Sequence, residues 1–215
     1  MKRTTAFLLA MLLAGWCLFA LWGCGKSAEE RDREIARATP VEGIRPKGNG
    51  AAYWQGLDGA DEPGGINQPI RVTVDWVFYP NAGELIDAAT DIFCGRVKGV
   101  SFAVGPGLSP SDGAMLYTVY TVDVTETCKG SADGTVEVRM PGGIGVRLRE
   151  QDAIRRETGL RPVILDNVEL EVGETYLFCT RAEGAFYGNL GMWQFVYPVG
   201  SDGAAVIRRA CAGKP

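Results

Sequence analysis

The chain has 215 residues, with 22 basic and 26 acidic side chains and not one histidine. The absence of histidine excludes Ser-His-Asp and Cys-His nucleophilic catalysis, imidazole acid–base chemistry and histidine-ligated metal sites. The acidic balance argues against a nucleic-acid surface. We therefore predict no catalytic residues, no metal site, no cofactor and no nucleic-acid partner.

The N-terminus predicts an export signal. Lys2 and Arg3 precede an uncharged apolar run, Thr4 to Trp22, as in a secretory signal peptide. The end of this run, Leu21-Trp22-Gly23-Cys24, resembles the lipobox of bacterial lipoproteins, which implies cleavage after residue 23 and a diacylglycerol on the Cys24 sulfur. An uncleaved signal anchor is the alternative, because the run approaches the roughly 20 residues that span a bilayer. Both interpretations place the protein at the cell membrane, on its extracytoplasmic face.

Residues 24–70 are predicted to be a lipid-anchored flexible tether. The segment is rich in Gly, Asn, Asp and Pro, and its one charged stretch, Ala28 to Ala38, predicts a short helix. A flexible coil of this length would hold the following domain about 35–40 Å from the lipid on average. Removal of residues 1–23 takes away two basic residues and no acid, which leaves 20 basic and 26 acidic side chains and a formal charge of −6.

Short strands separated by turn signals begin at about residue 71, and residues 71–215 are predicted to be one domain. Val136, Val138 and Met140 alternate with polar residues, so we expect them to face inward. A helix is predicted over 84–89 and a charged one over 149–157. The fold class is predicted to be all-β, mainly β with short helices, in a Greek-key barrel or a sandwich. The predicted strands cover residues 71–79, 91–104, 115–127, 135–140, 175–181, 185–189, 193–199 and 204–208.

Three short motifs carry a family resemblance. They are Ala89-Thr90-Asp91 leading into Gly95-Arg96-Val97, the strand that ends in Lys129-Gly130, and Gly173-Glu174-Thr175-Tyr176-Leu177. In this order and spacing, residues 84–199 resemble bacterial netrin-like domains, relatives of the tissue inhibitors of metalloproteinases. The resemblance implies a small Greek-key OB-type barrel. It also implies inhibition through a free N-terminal cysteine, which a lipidated and tethered Cys24 does not offer.

The cysteines of the predicted domain leave two alternatives open. An even number in an exported chain is typical of two disulfides, whereas a domain of this size can also bury free thiols as small apolar groups. If the resemblance holds, closure of the barrel makes Cys94 and Cys179 neighbours, so Cys94–Cys179 is the first candidate pair, leaving Cys128–Cys211. The four cysteines are Cys94, Cys128, Cys179 and Cys211.

A candidate binding surface is predicted from one aromatic ring and one basic cluster. Tyr187 is the best candidate for an exposed ring, which OB-type barrels use to stack ligands. The basic cluster offers a docking site for an anionic cell-wall polymer, although interleaved acids also fit a helix with local ion pairs. The cluster consists of Arg147, Arg149, Arg155 and Arg156.

The predicted function is that of a membrane-anchored extracytoplasmic lipoprotein whose non-catalytic domain binds a protein or polymer of the envelope. The partners expected are the membrane, through the lipid on Cys24, and one envelope ligand. Inhibition of an extracellular protease is the alternative and rests on fold analogy. A carboxylate-based hydrolase comes third, since the acid pair Glu169 and Glu171 is better explained as solvated charge.

Overall fold

The structure is a computed structural model that describes residues 26–44, 70–71, 77–107, 113–143, 150–151, 154, 157–160, 163–164, 168–190 and 193–212. Cys24 and the four predicted arginines lie outside these ranges. The described part is mainly β with short helices, which confirms the predicted class at that level. The helices are α1 (Ala28–Ala38), α2 (Ala82–Ala88) and α3 (Asp202–Cys211). The strands are β1 (Ile70–Arg71), β2 (Asp91–Pro106), β3 (Ala114–Lys129), β4 (Thr135–Pro141), β5 (Val163–Ile164), β6 (Thr175–Glu183), β7 (Phe186–Asn189) and β8 (Val196–Pro198).

Five strands form a closed sheet in the order β2-β3-β4-β7-β6, and β6 returns to pair with β2. Within this sheet β4 and β7 run parallel, and the other neighbours are antiparallel. β8 adds to β6, while β1 and β5 form a separate parallel pair. Closure pairs the long strands on both edges and so removes the free edges that an open sheet would leave.

The interior of the closed sheet is filled by aromatic and aliphatic side chains. Phe93 and Phe178 are directly opposite each other on β2 and β6, with ring centroids 5.3 Å apart. Tyr120, Val138 and Tyr187 occupy one register row across β3, β4 and β7. Val138 and Met140 are buried and Val136 is partly buried against the core, so the inward face predicted from alternation is confirmed.

A second apolar layer lies between the outer face of the sheet and the three helices. Cys94 is opposite Leu177, and Leu177 is opposite Tyr197, which places these side chains on the face of β2, β6 and β8 that points away from the barrel interior. α3 covers this face with Ile207 and Cys211. α1 and α2 pack against α3. Buried side chains of all three helices therefore form part of the hydrophobic core.

The prediction of a flexible tether is wrong for residues 26–44. α1 has the predicted bounds and begins at Ser27, whose side chain accepts a hydrogen bond from the backbone N–H of Glu30. Its end is held to α2, where Arg37 pairs with Asp87 at 2.6 Å and the N–H of Ala82 donates to the Thr39 carbonyl at 2.9 Å. The segment buries Ala36 and Val41, and it packs on the domain because α2 and α3 present a partner for α1.

A buried amide fixes the rest of this N-terminal segment. The side chain of Gln194 accepts a hydrogen bond from the Tyr79 N–H at 2.8 Å and donates to the Tyr79 carbonyl at 2.7 Å and the Val41 carbonyl at 3.3 Å. Gln194 is 2% exposed, so water cannot replace these bonds. Residues 26–44 therefore belong to the folded domain.

The strand predicted over 204–208 is wrong, because this segment forms the middle of α3. Ser201 caps the helix by accepting from the Ala204 N–H, and the buried Ala204, Ile207 and Ala210 recur at the three-residue spacing of a helical face. The strand predicted over 193–199 shortens to β8. Of the strand predicted over 71–79, Arg71 is in β1 and residues 77–79 are outside any strand.

No helix in the described part of the chain combines the length and apolar character that a membrane crossing requires.

Candidate functional site

The outer face of the barrel carries a cation stacked on an aromatic ring. Arg139 lies on β4 and Phe186 on β7, and the guanidinium carbon is 4.2 Å from the ring centroid. Parallel pairing places Arg139 opposite Gly188, where a β-carbon would lie 2.6 Å from Glu183 Oε1, so the glycine leaves room for that carboxylate. Glu137 accepts a hydrogen bond from Arg139 at 2.8 Å, so the guanidinium is held in place from a second side.

A tyrosine and a carboxylate complete this surface. Tyr117 of β3 donates its hydroxyl hydrogen bond to the Pro106 carbonyl at 2.7 Å. Burial raises the pKa of Tyr117, the Glu183 carboxylate adds to this rise, and Arg139 opposes it, so the three groups lie within electrostatic reach of each other. We call Tyr117, Arg139, Glu183 and Phe186 the Arg139 patch. It combines two half-buried aromatic rings with one positive and one negative group, which suits a ligand that has both apolar and polar parts.

Tyr187, the predicted exposed ring, is not part of this surface, and that prediction is wrong. Its ring meets Phe93 edge-on with centroids 5.4 Å apart, on the interior side of the barrel. Successive residues of a strand point to opposite faces, so Phe186 faces outward where Tyr187 faces inward. Both rings of this aromatic pair are half-buried, and Tyr187 packs against the core. The predicted surface of Arg147, Arg149, Arg155 and Arg156 lies outside the described residues.

Four cysteines from four elements meet beneath α3. All four are free thiols, and Cys128 is half-buried while the others are buried. Electrostatic coupling links Cys179 with both Cys211 and Cys94, and links Cys128 with both Cys94 and Cys211. We call these residues the cysteine cluster. The resemblance implied two separate pairs, whereas the fold brings all four within electrostatic reach of one another.

Within the cluster the thiols of Cys94 and Cys128 are hydrogen-bonded to each other. The candidate pair Cys94–Cys179 is therefore not the pair in direct contact, although barrel closure does bring Cys179 to the neighbouring strand. Arg208 of α3 lies beside Cys94 and forms an ion pair with Glu126, the residue opposite Cys94 on β3. The thiol pair of Cys94 and Cys128 therefore has the Arg208 guanidinium as a cationic neighbour.

The residues that carry the family resemblance have a structural role at one junction. The Lys129 ammonium donates to the carbonyls of Ile86 and Ala89 at the end of α2. The Asp91 carboxylate accepts from the Ser131 N–H at 2.8 Å, just after Gly130 turns the chain with φ of 85°. These contacts fix α2 to the start of β2 and the end of β3, so these residues position the barrel strands.

Neither metal-binding geometry nor sequence similarity adds an assignment. In the described ranges, no group of three or more Cys, Asp or Glu side chains is arranged to hold a metal ion. Glu169 and Glu171 are both exposed, beside the buried Leu170. No protein-family model matches the sequence, and the search of curated proteins returned no match.

Proposed function

We propose that this protein is a lipoprotein anchored through Cys24 on the extracytoplasmic face of the cell membrane, and that its non-catalytic domain binds a protein or polymer of the envelope. The N-terminal sequence supports the location. The Arg139 patch carries the binding proposal, because a cation held over a half-buried ring at the surface is the described feature best suited to a ligand.

We further propose that the closed sheet is an OB-type barrel. In chain order its strands are β2, β3, β4, β6 and β7, and they close in the sequence first, second, third, fifth, fourth, with the third and fifth parallel. OB-type barrels bind ligands on the face of their second and third strands, between the loops that follow the first and fourth. Tyr117 and Arg139 lie on those two strands, and Phe186 follows the loop after the fourth.

The position of α1 changes where the binding domain would stand. Ala28 begins the helix four residues after Cys24, and four extended residues reach at most about 14 Å. A lipid on Cys24 would therefore hold the domain beside the bilayer rather than about 35–40 Å away, as a flexible coil would. The ligand proposed is accordingly one present at the membrane surface or in the innermost layer of the envelope.

The anchor is tested by Cys24→Ala. We expect this variant to lose all incorporation of radiolabelled palmitate and to leave the membrane fraction or remain as an unprocessed precursor, because the acceptor sulfur is gone. Cys17→Ala is the matched control, since residue 17 lies in the predicted signal, and it should retain full label. Label that persists in Cys24→Ala contradicts the lipoprotein assignment.

The binding face is tested by co-sedimentation of the full chain, kept in nonionic detergent, with purified cell-wall sacculi and with membrane vesicles from the same cells. Phe186→Ala and Arg139→Gln should each weaken binding about tenfold, as loss of a stacked anchor residue typically does. Phe78→Ala and Arg209→Gln make the same chemical changes at exposed positions outside the patch and should bind as the unchanged protein does.

Equal binding by all four variants contradicts the assignment of the face. If the protein binds neither the sacculi nor the vesicles and inhibits a metalloprotease at micromolar concentration, the protease-inhibitor alternative is favoured instead.

A further inference from the structure

One strand pairing places two of the clustered cysteines in contact. Cys94 of β2 is opposite Glu126 of β3, and Cys128 follows two residues later on the same face. The register shifts at this point, because Phe93 pairs with Thr127 and Ile92 pairs with Lys129, which leaves Cys128 as the extra residue of a bulge. A bulge leaves its extra residue unpaired and changes the direction of its side chain. The two sulfurs are thereby brought together across the pair of strands.

We propose that Cys94 and Cys128 form an oxidisable dithiol, which converts to a disulfide joining β2 to β3 when the domain meets a protein or small-molecule disulfide. The other two cysteines of the cluster do not take part in this first bond. Cys179 is fully buried on β6, and Cys211 is buried at the end of α3.

The two thiols differ in exposure. Cys94 is 2% exposed, whereas Cys128 is half-buried and is the one member of the cluster that reaches the surface. Its sulfur also lies 3.8 Å from Glu126 Oε1 at the exposed edge of the site. An external disulfide can therefore reach the Cys128 sulfur directly. Cys94 reacts only afterwards, with the mixed disulfide that has formed on Cys128.

The charged surroundings favour one thiolate shared by the pair. The hydrogen bond from Cys128 lowers the pKa of Cys94 to about 7, with help from the Arg208 cation and against burial and the Glu126 carboxylate. The same hydrogen bond raises the pKa of Cys128, as do burial and the nearby Cys94 and Cys211. Cys94 therefore loses its proton near neutral pH, whereas Cys128 keeps its proton at that pH. A thiolate at this pH is the reactive species in disulfide exchange.

The oxidation proceeds by two successive thiol–disulfide exchange steps. Cys128 passes its proton to the Cys94 thiolate across their hydrogen bond as its sulfur attacks the external disulfide, which forms a mixed disulfide and releases one thiolate. Cys94 then attacks the Cys128 sulfur and its proton leaves with the second departing sulfur. The external disulfide ends as one thiol and one thiolate, and the thiolate takes up a proton from water. The pair has lost two electrons to the external disulfide, which is the oxidant.

This inference does not depend on the proposed binding function. The thiol pair lies beneath α3, whereas the Arg139 patch is built on β3, β4, β6 and β7. An exported domain would meet oxidants of this class, but the chemistry can be measured with the purified protein alone.

The test incubates the reduced full chain in nonionic detergent with mixtures of reduced and oxidised glutathione, quenches with an alkylating reagent under denaturing conditions, and maps linked peptides by mass spectrometry. We expect a Cys94–Cys128 cross-link as the first product. Its rate of formation should rise with pH and reach half its plateau near pH 7. Cys128→Ser should form no cross-link from Cys94 and should leave Cys94 unmodified by glutathione, because the accessible sulfur is missing.

A matched pair of variants tests the role of the cation. Arg208→Gln should slow cross-linking at pH 7 about two- to fivefold. Loss of the cation is expected to raise the pKa of Cys94 by about one unit, which leaves less thiolate, while the remaining thiolate becomes a stronger nucleophile. Arg209→Gln, one residue further along α3 and exposed, should leave the rate unchanged. A first cross-link between any other two cysteines, or thiols that all survive fully oxidised glutathione, overturns the proposal. Equal rates in the two arginine variants overturn the assigned role of Arg208.

Discussion

Replacing Phe93 with alanine is expected to lower the free energy of unfolding by about 3–5 kcal/mol, the usual cost of removing a buried phenyl ring. Phe93 is fully buried, stacks on Phe178 at 5.3 Å and meets Tyr187 at 5.4 Å. Its ring thus contacts β6 and β7 from β2, where the barrel closes. The loss includes both the transfer of the ring from water and the cavity left among aromatic neighbours that cannot collapse fully.

Urea unfolding of the full chain in nonionic detergent, followed by tryptophan fluorescence, measures this loss. Phe186→Ala is the matched control, because it removes the same ring from the outer face, where it is only partly buried, and should cost less than about 1.5 kcal/mol. Equal losses for the two variants would mean that Phe93 does not occupy the barrel interior.

Replacing Gly130 with alanine is the second change with a large expected effect, about 2–4 kcal/mol of destabilisation. Gly130 has φ of 85°, which a β-carbon disfavours, and that carbon would lie 2.6 Å from Asp91 Cγ and 2.7 Å from the Thr90 carbonyl oxygen. Asp91 cannot move away cheaply, since its carboxylate accepts from the Ser131 N–H and from the Thr90 hydroxyl, each at 2.8 Å. The substitution must therefore break the junction between β2 and β3.

Gly134→Ala separates the two contributions to this loss. Gly134 has φ of 62°, and a β-carbon there would meet nothing within 4 Å, so only the backbone strain applies. We expect about 1 kcal/mol for this control in the same urea titration. A Gly130→Ala protein no less stable than Gly134→Ala would show that Asp91 and Thr90 do not enclose Gly130 as described.

The strand faces could be predicted from the sequence, because alternation depends only on which residues are adjacent. Val138 and Met140 are buried where alternation placed them. The same logic failed at residues 204–208, where five residues are too few to separate a strand from a helix and the cap at Ser201 was the decisive signal. It also could not choose between Phe186 and Tyr187, since both faces of a short strand carried a ring.

Much of the candidate site depends on contacts between distant residues. Arg139 and Phe186 are 47 positions apart in the chain and meet because β4 and β7 pair in parallel. Nothing local in either strand indicates that pairing. The Cys94–Cys128 contact likewise depends on a one-residue bulge in β3, which shifts the sulfur and has no signature in the flanking sequence.

The sequence by itself determined the absence of histidine chemistry, the bounds of α1 and the inward face of β4, because composition, capping residues and side-chain periodicity are local properties. It also gave the predicted export signal and the lipid site at Cys24, which the described residues leave as a prediction. Only the tertiary structure decided that α1 packs on the domain, that the four cysteines meet under α3, and that Arg139 stacks on Phe186. These contacts are set by strand order and helix docking, in which the favourable partner of each residue lies far away along the chain.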